Sequence, residues 1–303
     1  MLTRVAVPTI LKRSRYYLPA RMFALKIAGM NPMGSVREAI EGHAAARHFT
    51  ELLSSFRSSC HLVDRDSSGF NLWRTPKGEI WAPHQDGIED ISWILAEVAV
   101  GVYRPADQSV RSGDTVIDCG ANIGMFAREA LAGEADLVVA VEPSSANLEC
   151  LRRNLRAQIE SGRVVLRETG LWESKELLPF TISAQASTRN SFVLGSDDEI
   201  STALTPVTTL DLVVEDLGLS RVDFIKMDIE GAEQSALRGA RKTLIRERPR
   251  LAIAVEHELP TILDNAKAVR DTVLKINPAY SCHCGLCIEG TSGLIAPQVL
   301  WFH

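Results

Sequence analysis

The segment at residues 114–124 combines an apolar run, an acid and a glycine turn in the sequence Asp-Thr-Val-Ile-Asp-Cys-Gly-Ala-Asn-Ile-Gly. Residues 115–117 are apolar and β-rich, which predicts a buried strand that ends at Asp118. Gly120 and Gly124 let the backbone turn tightly and approach a ligand, because glycine has no Cβ. The helix predicted to follow directs its free N-terminal amides at the same place. The segment therefore predicts a loop that binds a nucleotide cofactor.

The spacing of the glycines distinguishes two classes of cofactor. A dinucleotide-binding loop follows the pattern Gly-x-Gly-x-x-Gly, whereas here Asp118 precedes a loop with Gly120, Asn122 and Gly124 at alternate positions. An acid at the end of the strand suits a cofactor that carries a free amino-acid ammonium group, as S-adenosylmethionine does. The pattern therefore favours S-adenosylmethionine over a nicotinamide dinucleotide.

A second acid follows the next apolar run. Residues 137–141 read Leu-Val-Val-Ala-Val, which predicts another buried strand, and Glu142 and Pro143 come directly after it. Glu142 follows Asp118 by 24 positions. This separation is close to the spacing of about 20 residues at which an acid after the second strand binds ribose hydroxyls. An ordinary βαβ unit with a capping acid at a turn is the alternative for either motif alone. The two motifs together favour a cofactor site.

At this point the chain resembles the FkbM-type methyltransferases, which are class I S-adenosylmethionine-dependent methyltransferases. The most specific match is the block Lys-Met-Asp-Ile-Glu-Gly-Ala-Glu at residues 226–233. The resemblance covers roughly residues 81–280 and does not explain residues 1–75. The matching segments are residues 116–124, 141–154, 207–211, 222–239 and 255–257.

This resemblance implies a Rossmann-like α/β fold, in which a mostly parallel sheet with an antiparallel last strand carries helices on both faces. It also implies O-methylation, with S-adenosylmethionine as cofactor, of a hydroxyl on a sugar, a glycan or glycolipid, or a polyketide-type small molecule. Glu97 and Tyr103 fall in segments similar to the family's lead-in to the first strand. The cofactor-binding residues predicted in this way are Asp118, Gly120, Asn122, Gly124, Glu142, Pro143, Asn147, Glu97 and Tyr103.

Apolar runs alternate with helical periodicity in the second half of the chain, which also predicts a parallel sheet with helices on both faces. We divide the chain into a basic helical extension or cap at residues 1–75 and a methyltransferase domain at residues 76–303, with a lead-in at 76–113 and a core at 114–303. The predicted strands are 115–117, 137–141, 164–166, 224–227 and 251–255, with a closing pair near 280–288 and 298–302. The predicted helices include one that begins near Asn122 and the segments 38–53, 147–159 and 232–244.

Chemistry is expected beyond the carboxyl ends of the strands, where open α/β sheets bind ligands. The predicted fourth strand delivers Lys226, Asp228 and Glu230 to that edge, and the fifth strand delivers Glu256 and His257. A neutral hydroxyl attacks a sulfonium methyl group poorly, so transfer to oxygen gains from a positioned base and an in-line approach. Asp228 and His257 are the candidates for that base.

The other roles of these side chains have alternatives. Lys226 either holds a carboxylate in place or binds an oxygen of the acceptor. Glu230 either contacts the methionine end of the cofactor or caps the helix predicted to begin at Gly231. For His257 the alternative is a solvated histidine just past its strand.

Two other functions are weighed against methyl transfer. A regulatory module that binds S-adenosylmethionine without turnover is disfavoured by Asp228, Glu230 and His257 beside a complete cofactor loop. A nicotinamide-dependent oxidoreductase is disfavoured by the spacing of the glycines. The predicted acceptor-side insertion at residues 163–205 specifies no substrate.

The composition agrees with a globular enzyme. The chain has 303 residues, of which 46% are hydrophobic and 23% are charged, and its formal net charge is −5. The negative charge argues against a general nucleic-acid binder. The expected partner is a small-molecule, sugar or lipid-linked glycan acceptor, and no sequence feature specifies the oligomeric state.

Residues 1–37 contain seven Lys or Arg residues and no acid. We reject a secretory signal, because the apolar run is short, contains Pro8 and leads into Lys-Arg-Ser-Arg. The segment is either a basic amphipathic helix that touches an anionic membrane or a helical cap whose charges are solvated. We therefore expect a cytoplasmic protein, with peripheral contact to the inner face of the membrane as an additional hypothesis.

The six cysteines form no regular secreted framework, which favours a reducing compartment. Cys282, Cys284 and Cys287 offer zinc ligands, but no second Cys or His cluster at a suitable spacing completes a tetrahedral site. Alternation of Tyr280, Cys282 and Cys284 along a strand instead favours small buried apolar side chains. The sequence thus predicts no metal site.

Overall fold

The computed structural model describes residues 33–104, 109–184, 186–193, 199–257, 262–289 and 295–303, together with residues 20, 21, 23, 24 and 27. Most of the basic opening lies outside the described residues, so its contact with a membrane stays a prediction. Among the helices of the described residues, none has the length and apolarity that crossing a membrane requires.

A long helix and a small antiparallel sheet precede the main fold. Helix α1 (Val36–Ser59) begins at Ser35, whose side-chain oxygen accepts a hydrogen bond from the amide of Glu38, while the Glu38 carboxylate accepts one from the amide of Ser35. This reciprocal capping satisfies two amides at the start of the helix. The small sheet consists of β1 (His61–Arg65), β2 (Phe70–Thr75) and β3 (Gly78–Pro83).

These strands correct the prediction of a helical extension over residues 1–75. Residues 61–75 form β1 and β2, and the β2–β3 hairpin spans the predicted boundary between residues 75 and 76. Along β2 the side chains of Asn71, Trp73 and Thr75 are buried and alternate with more exposed neighbours. That period of two belongs to a strand and not to a helix. The division of the chain at this boundary stays a prediction.

The remaining elements build the main fold. The helices are α2 (Ile88–Val100), α3 (Met125–Ala132), α4 (Ser145–Asn154), α5 (Arg156–Glu160), α6 (Leu210–Asp216), α7 (Glu233–Arg238), α8 (Arg241–Arg246) and α9 (Ile262–Ile276). The strands are β4 (Thr115–Cys119), β5 (Leu137–Val141), β6 (Val164–Arg167), β7 (Gly170–Leu171), β8 (Glu176–Ser183), β9 (Glu199–Thr208), β10 (Phe224–Met227), β11 (Arg250–Ala254), β12 (Cys282–Glu289) and β13 (Ile295–Phe302).

The central sheet has seven strands in the order β12-β13-β11-β10-β4-β5-β6. Strand β13 is antiparallel to both of its neighbours, and the other adjacent pairs are parallel. Ile117 packs in the core on one face with residues of α6 to α9, whereas Val116 packs on the other face with residues of α3 and α4. Helices therefore cover both faces, which confirms the predicted Rossmann-like class.

Two predicted helices are each interrupted. The segment at 147–159 divides into α4 and α5 at Leu155, whose backbone leaves the helical region while its side chain is fully buried. The segment at 232–244 divides into α7 and α8 at Gly239. A Cβ at Gly239 would lie 2.2 Å from the carbonyl oxygen of Trp172, so the close approach of two backbone segments decides the break.

A second small sheet occupies the predicted acceptor-side insertion. Strand β9 pairs with β8 in antiparallel fashion and with β7 in parallel fashion. A single turn of 3-10 helix, Ser187–Arg189, follows β8. Strands β8 and β9 were not predicted from the sequence. They place residues 186–193 over the carboxyl ends of the central strands.

Helix α1 packs so closely on β12 that residue 42 has to be glycine. A Cβ added to Gly42 would lie 2.5 Å from the amide nitrogen of Cys287. Alanine in place of glycine ordinarily stabilises a helix by about 0.5–1 kcal/mol, but overpacking costs about 1–3 kcal/mol. We therefore expect Gly42→Ala to lower the temperature of thermal unfolding.

The exposed Thr50 of the same helix offers a control. Thr50→Ala is expected to leave the unfolding temperature unchanged or to raise it slightly, because alanine has the higher helix propensity. An unfolding temperature of Gly42→Ala at or above that of the parent would contradict the close packing of α1 on β12.

Candidate active site

The turn after β4 depends on two glycines. Gly120 has a φ of +78°, and a Cβ there would lie 1.9 Å from the carbonyl oxygen of Asp228. Gly124 has a φ of +88°, and its Cβ would lie 2.8 Å from Cδ1 of Leu155. The loop can therefore pass between the end of β10 and Leu155 only without side chains at these positions.

Glu142, at the end of β5, is bonded to this turn. One carboxylate oxygen accepts from the amide of Asn122 at 2.9 Å, and the other accepts from the amide of Ser144 at 2.9 Å and from Nδ2 of Asn147 at 3.3 Å. Burial raises the pKa of Glu142, although these hydrogen bonds oppose the rise. Oδ1 of Asn147 is buried and has no hydrogen-bond partner among the described residues. The group thus offers an unused acceptor next to a carboxylate.

A cavity that opens to solvent lies over the carboxyl ends of β4, β5 and β10. This edge of an open α/β sheet is where such folds bind ligands. Of the predicted cofactor residues, Asp118 and Gly124 do not line it. Those that do line it are Glu97, Tyr103, Gly120, Asn122, Glu142, Pro143 and Asn147.

Asp118 does not line the cavity, but it contacts Lys226, which does. Its side chain is fully buried, and its Oδ1 atom is 3.4 Å from Nζ of Lys226. Nζ of Lys226 also donates to the carbonyl of Gly120 at 2.7 Å and lies 3.8 Å from Oδ2 of Asp228. Burial lowers the pKa of Lys226, but Asp118 and Asp228 raise it by more, so its net pKa is raised. Lys226 therefore stays a cation that holds two carboxylates.

Asp228 receives hydrogen bonds on both carboxylate oxygens. The Tyr103 hydroxyl donates to Oδ2 at 2.8 Å, and Nε2 of His257 lies 2.7 Å from Oδ1. Burial raises the pKa of Asp228, but Lys226 and His257 lower it by more, so its pKa is well below the usual range. Asp228 is therefore ionised at neutral pH.

His257 lies between two carboxylates, with its Nδ1 atom 3.2 Å from Oε2 of Glu230. Burial lowers the pKa of His257, but Asp228 and Glu230 raise it well above the usual value. Burial raises the pKa of Glu230 to about 8, an effect that His257 opposes and Asp228 reinforces. The side chain of His257 is only 14% exposed, so the alternative of a solvated histidine is wrong.

The direction of these side chains changes the predicted roles. Asp228 and Glu230 line the cavity, whereas His257 and Glu256 do not. His257 contacts both Asp228 and Glu230 without lining the cavity itself. Glu256 accepts a hydrogen bond from Gln298 at 2.5 Å. The structure therefore brings Asp228 and Glu230 to the ligand space and places His257 as their support.

Glu230 does not cap a helix, which corrects one of its two predicted roles. Helix α7 begins at Glu233, and the Glu233 carboxylate accepts from the amides of Ile229 at 2.9 Å and Gly231 at 3.4 Å. Glu230 itself has a φ of +53°. This left-handed turn aims its side chain at His257.

Asp228, Glu233 and His257 also bring three donor atoms within 4.8 Å of one another. Hydrogen bonds account for this proximity, because Glu233 binds two backbone amides and His257 binds two carboxylates. Cys282, Cys284 and Cys287 belong to no such group within the part of the chain that the structure describes. Tyr280 and Cys284 are buried in the core, as their alternation along the strand predicted, whereas Cys282 is only partly buried.

Residues 118–277 match the sequence model of the methyltransferase FkbM domain. That stretch is more than half of the 303-residue chain. The chain belongs to the FkbM methyltransferase family. A comparison with curated proteins gives no match.

Solved structures show limited similarity to this chain. A methyltransferase FkbM from Methylobacillus flagellatus KT is 21% identical over 86% of this chain, with a TM-score of 0.46, and the chain spans 59% of that protein's length. An O-methyltransferase from Bacillus cereus in complex with SAH is 13% identical over 62% of this chain and 72% of its own, with a TM-score of 0.38. Spermidine synthase from Thermotoga maritima is 12% identical over 80% of this chain and 71% of its own, with a TM-score of 0.39.

A buried acid near the site, Asp86, is not predicted from the sequence. Asp86 is fully buried before α2, and its two oxygens accept from the amide of Ser187 at 2.7 Å and from the Ser187 hydroxyl at 2.6 Å. The Ser187 hydroxyl in turn accepts from Nδ2 of Asn122 at 3.3 Å. No local pattern signals this contact, because the partners are far apart in the chain.

Burial raises the pKa of Asp86 to about 6, although the hydrogen bonds from Ser187 oppose the rise and Asp90 adds to it. The ordinary value is 3.8, so the folded protein binds this proton more tightly than the unfolded chain. The contribution of Asp86 to stability therefore decreases as the pH rises between these two values.

We expect Asp86→Asn to unfold at a higher temperature than the parent above pH 6, because the amide stays neutral and donates to the Ser187 hydroxyl. The difference should shrink as the pH falls towards the ordinary pKa of a carboxyl. Thermal unfolding of both proteins over this pH range measures it. A difference that is the same at every pH would contradict the raised pKa of Asp86.

Proposed function

We propose that this FkbM methyltransferase transfers a methyl group from S-adenosylmethionine to a hydroxyl oxygen of a sugar, a glycan or glycolipid, or a polyketide-type molecule. One observation carries the proposal: the Asp228–His257–Glu230 chain opens into the same cavity as the glycine turn and Glu142. A proton-accepting chain next to a nucleotide-binding loop suits methyl transfer to oxygen, because the acceptor hydroxyl loses its proton in the reaction. Family membership and the glycine spacing support this function over an oxidoreductase.

The residues present fit the proposed cofactor. Glu142 has lone pairs left for the ribose hydroxyls, and the unused Oδ1 of Asn147 beside it accepts from a ligand donor. At the other end, Glu97 suits the ammonium group of the methionine part. Burial raises the pKa of Glu97 to about 8, with Asp228 and Glu256 adding to the rise, so a bound cation would favour the ionised form.

When bound, S-adenosylmethionine supplies a methyl group on a positively charged sulfur. The protein has to hold the acceptor hydroxyl and take its proton. Glu230 is the first candidate for that step, because it lines the cavity and its pKa of about 8 lies near neutrality. Asp228 is a weaker base because its pKa is lowered, and it holds His257 and Tyr103 in place.

The cofactor assignment predicts that Glu142→Ala loses hydrogen bonds from the ribose to a charged acceptor. That loss is about 1.5–3 kcal/mol, or roughly a tenfold to hundredfold weaker affinity for S-adenosylmethionine. Isothermal titration calorimetry measures it, with the exposed Glu168→Ala as a control that keeps the parent's affinity. If Glu142→Ala binds the cofactor as tightly as the parent, the ribose assignment is wrong.

The proposed base predicts a loss of turnover in three variants. A positioned base contributes about 10²- to 10⁴-fold, so Glu230→Gln, Asp228→Asn and His257→Ala should each reduce turnover by that order while the affinity for S-adenosylmethionine changes little. Product mass after incubation with labelled cofactor and a panel of sugars, glycolipids and macrolides gives the turnover.

The pH profile tests the same assignment. Because a base acts in its deprotonated form, the parent's turnover should rise with pH up to about 8 and then level off, and Glu230→Gln should lose this rise. If all three variants keep a turnover near the parent's at every pH, only proximity and orientation contribute to catalysis. The assignment of a catalytic base would then be wrong.

A further inference from the structure

Residues 186–193, which we term the strap, cross the cavity between two anchors. At one end Ser187 is held by Asp86, and at the other end the Ser191 hydroxyl donates to the carbonyl of Glu230 at 2.6 Å. The strap therefore runs from the cofactor loop to the proposed base. The strap residues that line the cavity are Ser187, Thr188, Asn190 and Phe192.

Asn190 carries an unused hydrogen-bond donor. Its Oδ1 atom accepts from the amide of Ser183 at 2.9 Å. Because a backbone amide can only donate, this bond fixes the side-chain amide and directs Nδ2 the other way. The residue is 9% exposed, and Nδ2 is buried with no partner in the part of the chain that the structure describes. A buried donor without a partner is costly, so a ligand oxygen is expected there.

Two aromatic rings line the same cavity. The ring centroids of Phe180 and Phe192 are 4.5 Å apart. A Cβ on Gly170 would lie 2.4 Å from the ring of Phe192, so that ring is held against the backbone. A rigid apolar surface and an amide donor together suit a ring that presents both C–H groups and oxygen atoms.

The position of Asn190 assigns this donor to the methyl acceptor. Asn190 precedes Ser191, which is bonded to Glu230, whereas the groups proposed for the ribose, Glu142 and Asn147, follow β5. On the basis of the proposed function, we propose that Nδ2 of Asn190 donates to an oxygen of a glycoside acceptor that packs on Phe180 and Phe192. Asn190 then determines which ring the strap admits.

The test measures binding of simple glycosides to the full-length protein saturated with SAH. The probes are methyl α-D-glucopyranoside, methyl α-D-mannopyranoside and methyl α-L-rhamnopyranoside, followed by ligand-observed NMR. Asn190→Asp keeps an oxygen for the Ser183 amide and replaces the donor by an acceptor, whereas Asn190→Ala removes both. Asn71→Ala is the control, because Asn71 is also a buried asparagine but does not line the cavity.

We expect the parent and Asn71→Ala to bind at least one of these glycosides. Both Asn190 variants should bind it at least tenfold more weakly, with an affinity for SAH within twofold of the parent's. Asn190→Asp keeps the bond to Ser183 but buries a carboxylate, so we expect it to stay folded and to bind SAH while its unfolding temperature falls.

Several results would overturn the assignment. If Asn190→Asp binds the glycoside like the parent, the side chain has only a structural role. If the Asn190 variants lose affinity for SAH as well as for the glycoside, Asn190 belongs to the cofactor site. If no glycoside binds the parent, the acceptor class is wrong. Failure of the parent to bind SAH would instead overturn the proposed function, so the two failures are distinguishable.

Discussion

The buried ion pair between Lys226 and Asp118 is the interaction on which the rest of the site depends. These two residues are register partners in the β10–β4 pair, and their charges are tolerated inside the protein only because they compensate each other. A slip of β10 by one residue relative to β4 would put the two side chains on opposite faces of the sheet and leave two unpaired charges. The pair therefore ties the register of the central sheet to the geometry of the glycine turn above it.

The ion pair also sets the charge of the groups that face the cavity. Lys226 keeps Asp228 ionised, and ionised Asp228 in turn raises the pKa of both His257 and Glu230. A chain of this kind takes up a proton with little rearrangement, since its hydrogen bonds are already formed.

Much of the central fold is predictable from the sequence, because its parallel strands are buried on both faces and read as continuous apolar runs. The bounds of β5 and β10 agree with the prediction for this reason. Strands β2, β8 and β9 carry no such run and lie outside the central sheet: β2 pairs with β1 and β3, and β8 pairs with β9. The sequence analysis therefore missed them.

The candidate site divides in the same way. The residues at the ends of β4, β5, β10 and β11 are predictable from their positions, but the directions of their side chains are not. Asp118 turns down to Lys226, and His257 supports two carboxylates, because of contacts made only after the strands have assembled. A sequence pattern places a residue at the edge of a sheet and does not say whether it faces the ligand.

The strap lies furthest from local prediction, since both of its anchors join distant parts of the chain. The β7-β9-β8 sheet next to the strap has no strand paired with the central sheet. Substitutions in residues 186–193 can therefore change the cavity wall without altering the register of β4 and β10. Loops on a rigid scaffold commonly carry specificity for this reason. In this protein the glycine turn and the strap are therefore formed by separate segments of the chain. Hydrogen bonds among Asp86, Ser187 and Asn122 connect the two segments.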